Sequence, residues 1–318
     1  MFRFAIMGAG NIAGRFCRAA NALPACCVTA VASKSRERAG RFAAENGVPH
    51  FYVDYEEMLE KEKPDAVYIA VTPHDHFRLC MLCLQHRIPV LCEKAMFRTS
   101  EEARTVFALS ERENLFTMEA LWSRFLPAVN RARDWLQQGK IGQPVFSHIA
   151  IGFAAPKDPE NRYFCRELGG GTAYDITVYD WQLQTYLFPE EPLDETIQVL
   201  WGETGVDESE HIALRYPHML ASLEGSLLYN CDESWTIFGE KGRIVLPHPH
   251  YLNEAYRYDE NGQEAERYDT PLTEDGFSYE IRETIRCVQA GLYESPVVPH
   301  RDTLRCAELF DRILQTRL

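Results

Sequence analysis

Over roughly the first third of the chain, short apolar runs alternate with stretches whose apolar positions recur at helical spacing. Phe4 to Met7 is an unbroken apolar run and predicts a buried strand followed by a glycine turn. Ile12, Phe16, Ala19, Ala20 and Leu23 then fall on one face of a helix. Val28 to Ala32 predicts a second strand, and Arg36 to Asn46 a helix stopped by Gly47-Val48-Pro49. Asp54 with Glu57 makes a capping box for a helix carrying Met58 and Leu59. Ala66 to Val71 and Ile88 to Cys92 predict strands on either side of a helix through Leu79, Leu82 and Cys83. Ser100 is the expected cap of a helix running towards Glu113, and Leu115 to Met118 predicts one more strand. Strands apolar on both faces and separated by helices imply a parallel sheet covered on both sides.

The pattern changes after about Leu121. Pro127 to Gln138 predicts a helix closed by Gly139, after which strands dominate, with helical stretches near Gly171 to Leu187, Phe277 to Ala290 and Arg301 to Thr316. Glu210 to Tyr216, Ala221 to Leu228 and Trp235 to Phe238 have the length and turn punctuation of antiparallel strands. The predicted class is α/β. A doubly wound parallel sheet over 1–121 precedes a second α/β domain over 122–318, built on a mainly antiparallel sheet.

Hydrophobic residues at 46% and charged residues at 25% match a globular chain and exclude disorder. Lys plus Arg number 33 against 47 Asp plus Glu, a net charge of −14, which argues against a nucleic-acid partner because such a surface needs clustered positive charge. The ten cysteines lack the dense spacing of a disulfide scaffold, so reduced thiols and a cytoplasmic setting are expected. The apolar start is broken by Gly8, too early for a signal peptide, and no run approaches the roughly eighteen apolar residues of a membrane span.

Gly8-Ala9-Gly10-Asn11-Ile12-Ala13 fits G-x-G-x-x-G/A between a strand and a helix. Gly8 permits the tight turn, Gly10 lets the backbone approach a pyrophosphate, and Ala13 allows close helix–sheet packing, with Asn11 and Ile12 opening the helix. The free N–H groups of that helix end suit phosphate, so a Rossmann dinucleotide site is favoured over a plain structural turn. At the end of the second strand, where NAD-binding chains usually place an acid, this chain has Ser33-Lys34-Ser35-Arg36. Hydroxyl and cations suit a 2′-phosphate, so Ser33, Lys34 and Arg38 favour NADP(H) over NAD(H); the alternative is a solvated loop.

Four features occur in order: the glycine turn, Cys92-Glu93-Lys94-Ala95, Glu119-Ala120-Leu121-Trp122-Ser123-Arg124-Phe125, and Gly169-Gly170-Gly171-Thr172-Ala173-Tyr174-Asp175-Ile176-Thr177-Val178-Tyr179. Together they resemble the glucose–fructose oxidoreductase/inositol dehydrogenase (Gfo/Idh/MocA) family. With Gly291-Leu292-Tyr293-Glu294-Ser295-Pro296-Val297, they look most like its dimeric dihydrodiol dehydrogenase branch. The resemblance implies catalytic Lys94 and Tyr179, with Asp175 as orienter, and it assigns Glu93, Thr72 and His76 to the cofactor's surroundings. Trp122, Arg124 and Phe153 resemble residues that wall the branch's active site. It further implies hydride transfer with a small sugar-like, diol or carbonyl substrate, and an open-faced second sheet that binds substrate and joins a homodimer or higher oligomer.

The chemistry agrees. Oxidising an alcohol needs a base and a hydride acceptor, and a nearby ammonium favours the phenolate of a tyrosine. Asp175 and Tyr179 are four positions apart and would share one face of an α-helix. The alternatives are Lys94 as a surface cation and Tyr179 as a core aromatic. Two departures stand out: Ala95 replaces the proline usual after the lysine, and Thr177 replaces the glycine before the tyrosine. These leave room for an NAD-dependent glycoside hydrolase or a non-catalytic NADP-binding regulator on the same fold. Cys80-Met81-Leu82-Cys83 lacks a second pair at zinc spacing, and Pro247-His248-Pro249-His250 reads as a loop.

Overall fold

The computed structural model describes residues 1–318 except Pro159, Thr273 and Leu318. The chain divides into two units, one of Met1–Trp122 with Glu274–Ala307 and one of Ser123–Thr273 with Glu308–Leu318.

The first unit alternates β1 (Phe2–Met7), α1 (Asn11–Ala22), β2 (Cys26–Ala32), α2 (Arg36–Asn46), β3 (His50–Tyr52), α3 (Tyr55–Glu62), β4 (Ala66–Ile69), α4 (Pro73–Gln85), β5 (Val90–Glu93), α5 (Ser100–Glu113) and β6 (Thr117–Ala120). All neighbouring strands pair in parallel, in the order β3-β2-β1-β4-β5-β6. That is the dinucleotide-binding order, whose reversal between β1 and β4 opens a crevice at the carboxyl ends of the strands. Phe4 to Met7 and Ala66 to Ile69 are fully buried, as unbroken apolar runs require. Strand β3 escapes the apolar pattern because it is three residues at the sheet edge with His50 and Phe51 exposed. Asp54 caps α3 as expected, its Oδ1 accepting the Glu57 N–H at 2.8 Å. The cap of α5 is Thr99 and not Ser100: Thr99 accepts from Glu102 N–H, the capping-box spacing, which makes Ser100 the first helical residue.

The second unit holds α6 (Pro127–Gln137), β7 (Pro144–Gly152), a π-turn (Ala173–Thr177) running into α7 (Val178–Leu187), and strands β8 (Asp194–Trp201), β9 (Asp207–Arg215), β10 (Leu220–Ser226), β11 (Ser234–Gly239), β12 (Gly242–Pro247), β13 (Ala255–Asp259) and β14 (Glu264–Tyr268). Its eight strands run β14-β13-β12-β11-β7-β10-β9-β8, antiparallel throughout except for β7 beside β10. Helices α6 and α7 pack on the sheet, while Phe146, Leu220 and Phe238 lie exposed.

Helix α8 (Phe277–Gln289) returns to the first unit and packs on α1, and α9 (His300–Gln315) follows. The units are thus discontinuous where a linear reading at 121/122 is not: α8 buries Phe277, Ile281 and Ile285, and only packing decides which unit receives that stripe. All ten cysteines are free thiols. Among the described residues, no helix is long and apolar enough to cross a membrane.

Candidate active site

In the first unit, the turn after β1 is shaped by two glycines with different duties. Gly8 has φ +112°, and a Cβ there would lie 2.3 Å from the Ala70 carbonyl oxygen beyond β4. Gly10 has φ −99° as the N-cap of α1, with nothing within 4 Å of a would-be Cβ. No side chain caps α1 and no acid occupies its first turn, so its leading N–H groups and positive dipole end are left for an anion. Ala13 is buried against the sheet, whereas Asn11 and Ile12 are exposed at the helix opening. These features fit a dinucleotide's pyrophosphate.

At the end of β2, Ser33 is buried, Lys34 and Arg38 are exposed, and Ser35 caps α2 by accepting from Arg38 N–H at 3.3 Å. Lys34 Nζ lies 2.8 Å from Asp75 on α4, which also accepts from Arg78 at 3.2 Å. Burial works against charge on Asp75, but Lys34 and Arg78 outweigh it and hold the carboxyl below its ordinary range. Asp75 escaped the sequence reading, which looked for an acid at the end of β2. Thr72 leads into α4 and bonds His74 Nδ1 at 2.8 Å.

His76 is fully buried, with Nδ1 3.0 Å from the Ala95 carbonyl and Nε2 3.0 Å from that of Val71. It ties the end of β4 to the segment behind Lys94, and burial pushes its pKa down. Lys94 itself is half-buried at the end of β5, and its peptide to Ala95 is cis. Glu93 accepts from the Tyr68 hydroxyl and, at 3.3 Å, from Lys94 N–H; burial raises it to about 6. Glu119 completes the frame, with Oε1 accepting Met96 N–H at 3.0 Å and Oε2 the Thr303 hydroxyl at 2.8 Å. Glu119 was visible as the head of its motif, but its reach to Met96 was not.

Trp122, also in the first unit, stacks on Phe277 with ring centroids 5.5 Å apart. The Arg15 guanidinium lies 4.7 Å and 4.9 Å from those two rings and pairs with Asp275 at 2.9 Å. Sequence reasoning missed Arg15, Phe277 and Asp275 because their partner in the chain lies far off.

In the second unit, the glycine run is explained by close approach. A Cβ at Gly170 would meet the Arg162 and Tyr163 carbonyls at 2.7 Å, and one at Gly171 would meet Asp207 Oδ1 at 2.2 Å. From 171 to 185 every residue is buried except Asp175 and Tyr179. Asp175 accepts from Arg162 at 3.2 Å; Arg162 lies 4.0 Å from the Tyr163 ring, which packs edge-on against Phe153 at 5.2 Å. Arg124 departs from the wall position implied for it. It is fully buried and donates to the Gln182 carbonyl at 2.9 Å, Gln182 Oε1 at 2.6 Å and Thr185 at 3.2 Å, fastening α7. The π-turn also replaces the plain helical turn expected between Asp175 and Tyr179, so their relative direction is not that of an ordinary i, i+4 pair.

Tyr179 packs against His250, centroids 5.2 Å apart, and Glu233 lies 4.0 Å from His250 and 2.9 Å from His248. The loop read as mere punctuation thus carries an imidazole onto the tyrosine. Asp180, the next residue along, buries both carboxyl oxygens without a hydrogen-bond partner; burial, and then Glu233 and Glu224, push its pKa well up.

Two family models match the chain, one described as an oxidoreductase family with an NAD-binding Rossmann fold over residues 2–120, the other as a GFO/IDH/MocA C-terminal domain over 129–245. A trans-1,2-dihydrobenzene-1,2-diol dehydrogenase of Xenopus tropicalis is 32% identical over 98% of this chain and 97% of its own length. A 3-ketoreductase of Actinomadura kijaniata, solved with NADP and TDP-benzene, superposes with a TM-score of 0.88 at 25% identity, covering 99% of this chain and 97% of the other. A levoglucosan dehydrogenase solved with NADH and levoglucosan shares the fold, with a TM-score of 0.87 at 18% identity over 99% of this chain and 96% of its own.

Proposed function

This chain belongs to the GFO/IDH/MocA family of oxidoreductases with an NAD-binding Rossmann fold, and from that premise we propose that it is an NADP(H)-dependent dehydrogenase or reductase acting on CH–OH or C=O groups of a small cyclic diol, sugar-like or carbonyl compound. The observation that carries the reading is the exposure pattern of the signature segment: within a stretch buried on all sides, only Asp175 and Tyr179 keep access to solvent. That exposure supports a part for these two side chains in the reaction.

A bound nicotinamide dinucleotide supplies the hydride acceptor or donor. Gly8, Gly10 and the α1 N–H groups would hold its pyrophosphate, with Asn11, Ile12, Ala13 and Thr72 near the dinucleotide and His76 and Glu93 supporting the Lys94 segment behind it. In oxidation, Tyr179 takes the hydroxyl proton and the Lys94 ammonium stabilises the charge that develops on oxygen; in reduction the same groups act in reverse. Asp175, anchored by Arg162, serves as the orienter of Tyr179 or Lys94 from a π-turn and not from a shared helical face, and Trp122 and Phe153 contact substrate. The dihydrobenzenediol activity named for the Xenopus tropicalis relative supports a cyclic diol as the first compound to try.

Ser33, Lys34 and Arg38 bind the 2′-phosphate, with Lys34 exchanging Asp75 for phosphate. A fluorescence titration of NADPH against NADH, followed by a diol and carbonyl panel read at the reduced-cofactor absorbance, tests the reading. NADPH is expected to bind at least about tenfold tighter, and Lys34→Ala to erase most of that margin. Equal or better NADH affinity would overturn the choice of cofactor.

The protein assembles as a homodimer or higher oligomer through the exposed sheet face, where Leu220, Phe146 and Phe238 stand in one cross-strand row. Phe146→Asp is expected to yield monomers in sedimentation velocity; an unchanged oligomer would remove that face from the interface. Free thiols throughout support a reducing, cytoplasmic setting.

A further inference from the structure

Thr177, standing where the signature has glycine, has no part in the reaction as proposed. It closes the π-turn over Ala173–Thr177, immediately before α7. A π-turn makes i→i+5 bonds and holds one residue more than an α-helical turn, so it rotates everything downstream by roughly 100°. The direction in which Tyr179 leaves the helix relative to Asp175 therefore depends on whether this turn persists.

Two acids on β9 hold the turn at its two ends. Asp207 Oδ2 accepts the N–H of Ala173, its first residue, at 2.6 Å. Glu210 Oε2 accepts the hydroxyl proton of Thr177, its last. Both residues are buried, each 2% exposed. The room they need is built into the chain at glycines. Gly225 stands directly opposite Glu210 in the β9–β10 ladder, and a Cβ there would come within 2.8 Å of Thr177 Oγ1 and 2.8 Å of Thr172 Cγ2. Gly171, at φ +120°, leaves Asp207 the space a side chain would fill. Charged residues at inward positions are costly without such duties; Glu210 occupies one, in step with buried Ile212 and Leu214.

We propose that the Asp207–Glu210 carboxyl pair is a positioning device for Tyr179, acting through the two ends of the π-turn, with Thr177 as the residue by which this chain engages it. The inference rests on the reading of Tyr179 as acid/base. Burial and the neighbouring Asp207 push Glu210 well above the ordinary carboxyl range. A glutamine retains an acceptor oxygen of the same shape at the position that receives the Thr177 hydroxyl.

Steady-state kinetics on four variants, alongside their melting temperatures, provide the test. Thr177→Val and Glu210→Leu remove the hydrogen bond and are expected to lower kcat about tenfold or more, with KM for NADPH within about twofold of wild type. Thr177→Ser and Glu210→Gln keep it and are expected to stay within about threefold of wild-type kcat. If Glu210→Leu does not fold, the Thr177 pair decides alone. Wild-type kcat in Thr177→Val would overturn the proposal, as would equal losses in Thr177→Val and Thr177→Ser that merely follow melting temperature. If the wild type turns over nothing in the panel, the functional reading fails separately. The crystal structure of Thr177→Val then decides: an α-helical turn at 173–177 supports the positioning role, and an intact π-turn overturns it.

Discussion

Replacing Lys94 by methionine is expected to lower kcat/KM for the best substrate by about 10²–10³-fold while NADPH affinity stays within about threefold. Methionine keeps an unbranched stem and removes only the ammonium, so the loss isolates charge stabilisation at the reacting oxygen. The segment around residue 94 is held by Lys94 N–H on Glu93, Met96 N–H on Glu119 and the Ala95 carbonyl on His76. Turnover is read at the reduced-cofactor absorbance, affinity by fluorescence titration, and folding by circular dichroism. Turnover within about threefold of wild type would remove Lys94 from the reaction. A wild type that binds NADPH but converts no diol, sugar or carbonyl would mark the chain as a sensor.

Gly8→Ala is expected to cost about 2–4 kcal/mol of stability and to weaken NADPH binding at least about tenfold. At φ +112° any side chain is strained, and its Cβ would meet the oxygen and carbon of Ala70 at 2.3 and 2.7 Å. Both atoms are backbone, so no rotamer change relieves the clash, and the β1–β4 pairing that ends at Met7 and Ile69 must shift. Gly10→Ala is the informative contrast. Its φ of −99° suits alanine and no protein atom lies within 4 Å of the new methyl. Denaturant unfolding should therefore leave Gly10→Ala unchanged, while titration shows weakened NADPH binding, because the methyl occupies space meant for the pyrophosphate. Unaltered affinity in Gly10→Ala would place the phosphates elsewhere.

Much of the first unit was legible from local patterns. Apolar runs such as Phe4 to Met7 became buried parallel strands because a sheet covered on both faces tolerates nothing else. The Asp54 cap and the glycine turn were legible for the same reason: each satisfies a backbone demand within a few residues. Ser100 was misplaced by one position because adjacent hydroxyl residues compete for a cap, and only the bond from Glu102 decides between them. Of the candidate site, the motifs singled out Lys94, Asp175 and Tyr179 as proposals, while spacing misjudged the turn between the last two. A π-turn leaves no signature in its own residues when its supports stand on β9.

The chain's own order of residues thus determined the two architectures, the glycine cradle after β1 and the family to which it belongs, all of which rest on periodicity and on contacts between near neighbours. Tertiary structure alone decided that Glu274–Ala307 rejoins the first unit, that Asp75 sits on Lys34, that Arg124 is spent on α7, and that His250 packs against Tyr179. Each of these joins positions distant in sequence. Such a pairing is chosen by competition among many possible partners for the same buried space, and nothing in the spacing of either partner records which one wins.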